Sequence, residues 1–91
     1  MVLVSVYDSK ATTYTPPHPS QTKETAIREF STLVNDGGKT MISQHPEDYS
    51  LFVVGEWFER VPLEGNKTTA KLVASPSFEC LAQGIDLVKK D

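Results

Sequence analysis

Leu51-Phe52-Val53-Val54 is apolar at every position and is entered from His45-Pro46-Glu47-Asp48-Tyr49-Ser50. Successive side chains of a strand point to opposite faces, so a half-solvated strand alternates apolar with polar residues. A strand apolar on both faces must be covered on both. The fold is therefore expected to centre on residues 50–59, with Leu51, Val53 and Trp57 on one face and Phe52, Val54 and Phe58 on the other. Gly55 interrupts the run and predicts a bulge or a close backbone approach.

Partners for this strand lie on both sides in sequence. Val2, Val4 and Val6 alternate with Leu3, Ser5 and Tyr7, the β-branched pattern of a strand ending near Asp8. Residues 11–15 can return antiparallel to it through a turn at Asp8-Ser9-Lys10. Pro16-Pro17-His18-Pro19 should stop any ladder, because three of its four residues lack an amide donor, and is expected as an extended surface connector. One helix follows, with Thr22 or Ser20 as N-cap and Glu24 at the positive end of the dipole. Ala26, Ile27, Phe30, Leu33 and Val34 form its apolar stripe, and Glu24 stands four residues before Arg28 in the favourable order. Asn35-Asp36-Gly37-Gly38 should end it with a glycine in the left-handed cap. Met41 and Ile42 are expected to tuck under the helix end.

Beyond the central strand, residues 63–67 read as a turn and Thr69 to Ala74 as a return strand, broken by Ser75-Pro76-Ser77. The apolar residues from Phe78 to Val88 have helical spacing, but Gly84 costs a helix about 1 kcal/mol. An irregular tail ending in a short helix is expected. The order is strand, strand, helix, strand, strand, tail. This is an α+β fold: a small, mostly antiparallel sheet of about four strands with one main helix on one face. The face opposite the helix still needs a cover, either the tail or a second subunit.

Ninety-one residues make a single domain, residues 1–91. A chain of this size buries only about 60–65% of its unfolded surface, so a dimer contact is one way to gain apolar burial. Cys80 is the one cysteine, which suits a reducing compartment and excludes a disulfide framework. No segment approaches the ~20 apolar residues of a membrane-spanning helix, and the first residues lack the basic start of a signal peptide. Twelve acids against nine bases give a net charge of −3. Binding driven by counterion release from phosphates normally shows as a basic excess, so any nucleic-acid contact here needs an uneven distribution of charge.

Chemistry-bearing groups are sparse. His45 beside Glu47 and Asp48 admits an acid–base reading, but acids after a proline bond their own backbone and stabilise turns. Cys80 has no histidine near it in sequence and reads as an inert, half-buried thiol. His18, His45, Cys80 and the carboxylates match no metal-site spacing, so neither a metal nor a cofactor nor an enzymatic activity is expected. Aromatic residues are better placed. Tyr7, Tyr14, Tyr49, Trp57 and Phe58 sit on or beside expected strands, and rings displayed on a sheet form a platform for single-stranded bases. Small domains also use rings as core, the expected place for Trp57. Tyr14, in a run of threonines, should be exposed.

Val6-Tyr7-Asp8-Ser9-Lys10-Ala11, a proline loop, Ala26-Ile27-Arg28-Glu29-Phe30 and His45-Pro46-Glu47-Asp48-Tyr49-Ser50-Leu51-Phe52 occur in that order. Over residues 4–59 the chain resembles the small nonstructural protein of gokushovirus-type microviruses, phages with circular single-stranded DNA. Gly37, Gly38 and Met41 depart from the more polar connector of relatives. The resemblance implies an accessory protein, neither lytic nor capsid, made in the cytoplasm of the infected bacterium. Such proteins are commonly labelled DNA-binding and linked to the switch toward single-stranded DNA synthesis and packaging. The resulting expectation is a single-stranded DNA contact using Lys10, Arg28, Arg60, Lys67 and Lys71 for phosphates and Tyr14 for stacking. The alternative is a dimeric adaptor acting on phage or host replication or packaging proteins without touching DNA.

Overall fold

The computed structural model describes residues 1–89. Its elements are β1 (Val2–Asp8), β2 (Thr13–Tyr14), β3 (His18–Ser20), α1 (Lys23–Val34), α2 (Met41–Gln44), β4 (Tyr49–Pro62) and β5 (Thr68–Gln83), with single 3₁₀ turns at Pro46–Asp48, Glu64–Asn66 and Gly84–Leu87. The doubly apolar strand β4 is central. It pairs antiparallel with β1 from Tyr49↔Asp8 to Glu56↔Val2, and with β5 on its other side. The sheet order is β2-β1-β4-β5, with β3 also on β1. This is the expected α+β arrangement, an antiparallel sheet under one main helix, with the first return strand split in two.

One face of β1 and β4 meets α1. Val4, Val6, Leu51 and Val53 pack against Ala26, Phe30 and Val34, with Phe30 only 2% exposed. Thr22 caps the helix, its Oγ1 accepting from the Thr25 amide at 3.0 Å. Leu33 lies at the margin of the stripe and is exposed. The other end is closed by Asn35 rather than by a glycine. The Asn35 amide nitrogen donates to the Ser31 carbonyl at 2.8 Å and to the Leu87 carbonyl at 2.9 Å, and its Oδ1 accepts from the Lys89 amide at 2.9 Å. A side chain that satisfies a terminal helix carbonyl makes a left-handed cap unnecessary. In α2, Ile42 packs on the core while Met41 is 57% exposed, since neighbours on a helix point about 100° apart. Asp36 stitches this connector. Hydrogen bonding to Ser43 holds its carboxyl below the usual value, partial burial opposes that, and Thr40 and the Lys39 amide add to it.

Two breaks expected from proline do not end strands. His18-Pro19-Ser20 pairs with Val4, Leu3 and Val2. An edge strand needs inward donors only at alternate residues, so a proline between two donors is accommodated. Ser75-Pro76-Ser77 interrupts pairing without ending β5. The ladder steps from Gly55↔Ala74 to Val53↔Glu79, so residues 75–78 of β5 stand opposite the single residue Val54 of β4, and Pro76 lies in the bulge. The segment from Phe78 therefore continues as strand to Gln83, not as irregular tail. Only Gly84–Leu87 turns helically, and it packs on the helix side through Leu87. The tail thus leaves the opposite sheet face open.

The bulge at Val53–Gly55 redirects β4. Val4 pairs with Val53 but Leu3 with Gly55, so Val54 is the extra residue. Side-chain alternation resets there, and Trp57 shares a groove with Leu3 instead of the core with Leu51 and Val53. Gly55 is required at this point: a Cβ would stand 2.6 Å from the Val73 carbonyl oxygen. Trp57 still exchanges backbone hydrogen bonds with Met1, its amide donating to the Met1 carbonyl at 2.9 Å. Beyond it β4 has only β5 beside it, and the pair projects as a ribbon in a molecule 57 × 25 × 19 Å across.

Gly55→Val should lower stability by about 1–3 kcal/mol through this backbone clash, and Asn35→Ala by about 1–2 kcal/mol through its lost partners. Urea unfolding measures both; an unchanged midpoint for either variant would contradict the contact assigned to it.

Candidate functional site

The open face of the sheet carries the site. Alternation along β1 puts Val4 and Val6 on the helix side and Leu3, Ser5 and Tyr7 on the other. Register Tyr7↔Tyr14 brings the hairpin partner onto the same face. Tyr14 stands at the hub of four rings. Its centroid lies 4.7 Å from Tyr7, 5.7 Å from Phe52 and 5.3 Å from Phe78, the last two edge-on. Tyr7 and Phe52 are half-buried, while Tyr14 and Phe78 remain 41% and 46% exposed. Edge-to-face pairs add about 0.5–1.5 kcal/mol each beyond area burial, so the cluster holds its shape while offering ring surface to solvent.

A groove of about 400 Å³ opens beside the rings, lined by Tyr14, Phe78, Val54, Pro16, Pro17 and the hydroxyl residues Ser5 and Thr15. Those hydroxyls are already engaged. Ser5 donates to the Thr15 carbonyl, and the Val6 amide donates to Thr15 Oγ1 at 2.9 Å. The groove therefore presents an apolar lining. A second groove of about 420 Å³ lies further along the same face, lined by Leu3, Pro17, Pro19, Trp57, Glu59 and Leu72, with Met1 at its edge.

The six residues expected to contact DNA are not gathered on this face. Tyr14 is at its centre, exposed as expected. Lys10 is exposed in the turn between β1 and β2, where the Asp8 carboxylate accepts from the Lys10 and Ala11 amides. Arg28 is exposed on α1, on the helix side of the sheet. Arg60, Lys67 and Lys71 are on the ribbon, interleaved with Glu56, Glu59 and Glu64. Lys71 pairs with Phe58, one step out of phase with the Trp57–Leu72 pair, and so faces away from the grooves. Arg60 occupies a second bulge with φ of +61°. Phe52 and Phe78 complete the ring cluster without having been singled out as contacts. Phe78 was hidden by reading Ser75-Pro76-Ser77 as the end of the strand. The signal that could have found it is the strand-like residues on both sides of that proline.

The other sequence candidates are dispersed. His45 Nδ1 lies 3.9 Å from Glu47 Oε1, with Asp48 adjacent, on an exposed turn. That turn is a structural junction: the Asp48 carbonyl accepts from the Ser9 amide at 2.9 Å, and Gly84 packs tightly against the Pro46 and Tyr49 carbonyls. Cys80 is exposed rather than half-buried. Lys23 is paired with Glu79 at 3.0 Å, tying the start of α1 to β5. Tyr49 is perturbed. Its phenol is pushed above the ordinary tyrosine value, first by burial and then by the negative charges of Asp8 and Asp48 and a hydrogen bond with Asp8. Among the described residues, no helix is long and apolar enough to cross a membrane.

Fold and face together define a small helix-backed sheet with one open aromatic surface. The model of the Phage ORF5 protein family matches residues 1–82, and the chain belongs to that family of phage proteins. No curated protein and no solved structure matches it significantly.

Because Tyr49 ionises later in the fold than in the unfolded chain, its neutral form carries no penalty below about pH 10. Above that the unfolded state ionises first, and stability should fall as pH rises through the folded value. Absorbance titration should show one of the three tyrosines ionising last, with Tyr49→Phe removing that phase and Asp8→Asn moving it down. A last phase that survives Tyr49→Phe would refute the assignment.

Proposed function

We propose that this phage protein is a non-enzymatic accessory factor that holds single-stranded DNA on the open face of its sheet, in the cytoplasm of the infected bacterium. The observation that carries this reading is the ring cluster: Tyr14 and Phe78, exposed and braced by Tyr7 and Phe52, on a sheet whose other face is sealed by α1. Every base has a π-face, and stacking on such a platform contributes about 1–3 kcal/mol per base without sequence readout. The apolar groove next to Tyr14, with its hydroxyls consumed internally, suits stacking rather than base-specific hydrogen bonding. The resemblance to gokushovirus-type nonstructural proteins adds a context, single-stranded genome synthesis or packaging.

Charge limits the mode of binding. Lys10 stands near one end of the face, and Arg60 and Lys67 lie on the ribbon at the other. A net charge of −3 leaves stacking to supply most of the affinity. Arg28 and Lys71, turned away from the rings, are peripheral to this track.

The exposed apolar residues of the ribbon, Phe58, Leu72 and Val73, support a second reading. A two-stranded ribbon is marginal alone in water, and covering it with another copy or with a replication or packaging protein would stabilise it. In that reading the protein is a dimeric adaptor without a DNA contact.

Titration of labelled single-stranded DNA at two salt concentrations separates the two. About three neutralised phosphates give a log–log slope near −2, and Tyr14→Ala should weaken binding about tenfold. No binding at low salt, together with a dimer in sedimentation, would overturn the DNA reading in favour of the adaptor.

A further inference from the structure

The two grooves of the open face are connected. Pro17 lines both, and Phe52 to Trp57 along β4 spans five residues, roughly 17 Å of strand. The distal groove differs in one respect. Its floor is the half-buried Trp57 ring with Leu72 and Leu3, and it contains a carboxylate, Glu59, two residues from Trp57 on the same strand. A carboxylate repels a phosphate and accepts a hydrogen bond from an exocyclic amino group. A backbone phosphate is thus disfavoured in this groove, while a base carrying an amino group is complementary to it.

Resting on the single-stranded DNA reading above, we propose that the Trp57 groove is a second base site on the same track, in which Trp57 stacks the base and Glu59 favours cytosine over thymine. Binding at the Tyr14 cluster rests on stacking, because its groove is mainly apolar and the Ser5 and Thr15 hydroxyls are bonded within the protein. The distal site adds a base preference that the ring cluster lacks. Lys10 at one end of the track, and Arg60 and Lys67 beyond the other, are placed for the phosphates entering and leaving it.

Trp57 is the sole tryptophan, so its emission reports this groove directly. The intact protein would be titrated with oligodeoxycytidylate and oligodeoxythymidylate of about twelve nucleotides, within the range of single-stranded sites. Both should quench Trp57, and the cytidine strand should bind about threefold more tightly. Glu59→Gln should erase that difference. Trp57→Ala should weaken both strands about tenfold, read by a label on the DNA, and Trp57→Phe should restore most of the loss. Binding of both strands without a Trp57 response, or with equal affinity in the intact protein, overturns the second site and leaves the Tyr14 platform standing. Absence of binding to either strand removes both. A concentration-dependent shift of Trp57 emission without DNA would assign the groove to a second copy and also overturn the proposal.

Discussion

Everything in this molecule depends on burying β4 on the helix side. Leu51 and Val53 pack with Val4 and Val6 against Ala26, Phe30 and Val34, and little else in the described chain is fully enclosed. Deleting a ring such as Phe30 from a core this small would cost about 3–5 kcal/mol. That is a large fraction of the stability of any domain of this size. The clasp at Asn35, the Lys23–Glu79 pair and the junction at Pro46–Tyr49 hold the helix, β5 and the C-terminal turn around that one layer.

With one face committed to stability, the other is available for binding. A helix laid on that face would have hidden the rings. Among the described residues both helices lie off it and the C-terminal turn returns to the helix side, which leaves Tyr14 and Phe78 at the surface. The rings brace one another in edge-on contacts, so the face keeps its form without a cover. Membership of a phage protein family fits a small accessory role of this kind.

The sequence carried the parts of this architecture that rest on periodicity. The alternating β1, the helix stripe with its Thr22 cap and the doubly apolar β4 all appear where their patterns put them. Tyr14 was legible as exposed because threonines surround it. What was not legible depended on partners. Pro19 and Pro76 look like terminators in isolation, but one lies at a strand edge and the other in a bulge, positions only a neighbouring strand defines. Gly55 announced an irregularity, yet which face Trp57 would take after it depended on where the extra residue fell. The grouping of Tyr14 with Phe78, 64 positions apart in the chain, depended on three registers across four strands at once.

The ribbon beyond Trp57 has a dynamic consequence. Its amides belong to a two-stranded ladder with no helix against it, whereas those of β1 and the first half of β4 lie inside a sheet backed by the core. Opening of the ribbon needs no rupture of that core. It therefore forms a separate cooperative unit, one whose hydrogens exchange with solvent at a far lower free-energy cost than global unfolding. A partner that grips the ribbon would slow that exchange there first, while the helix-backed layer, already closed, would register little change.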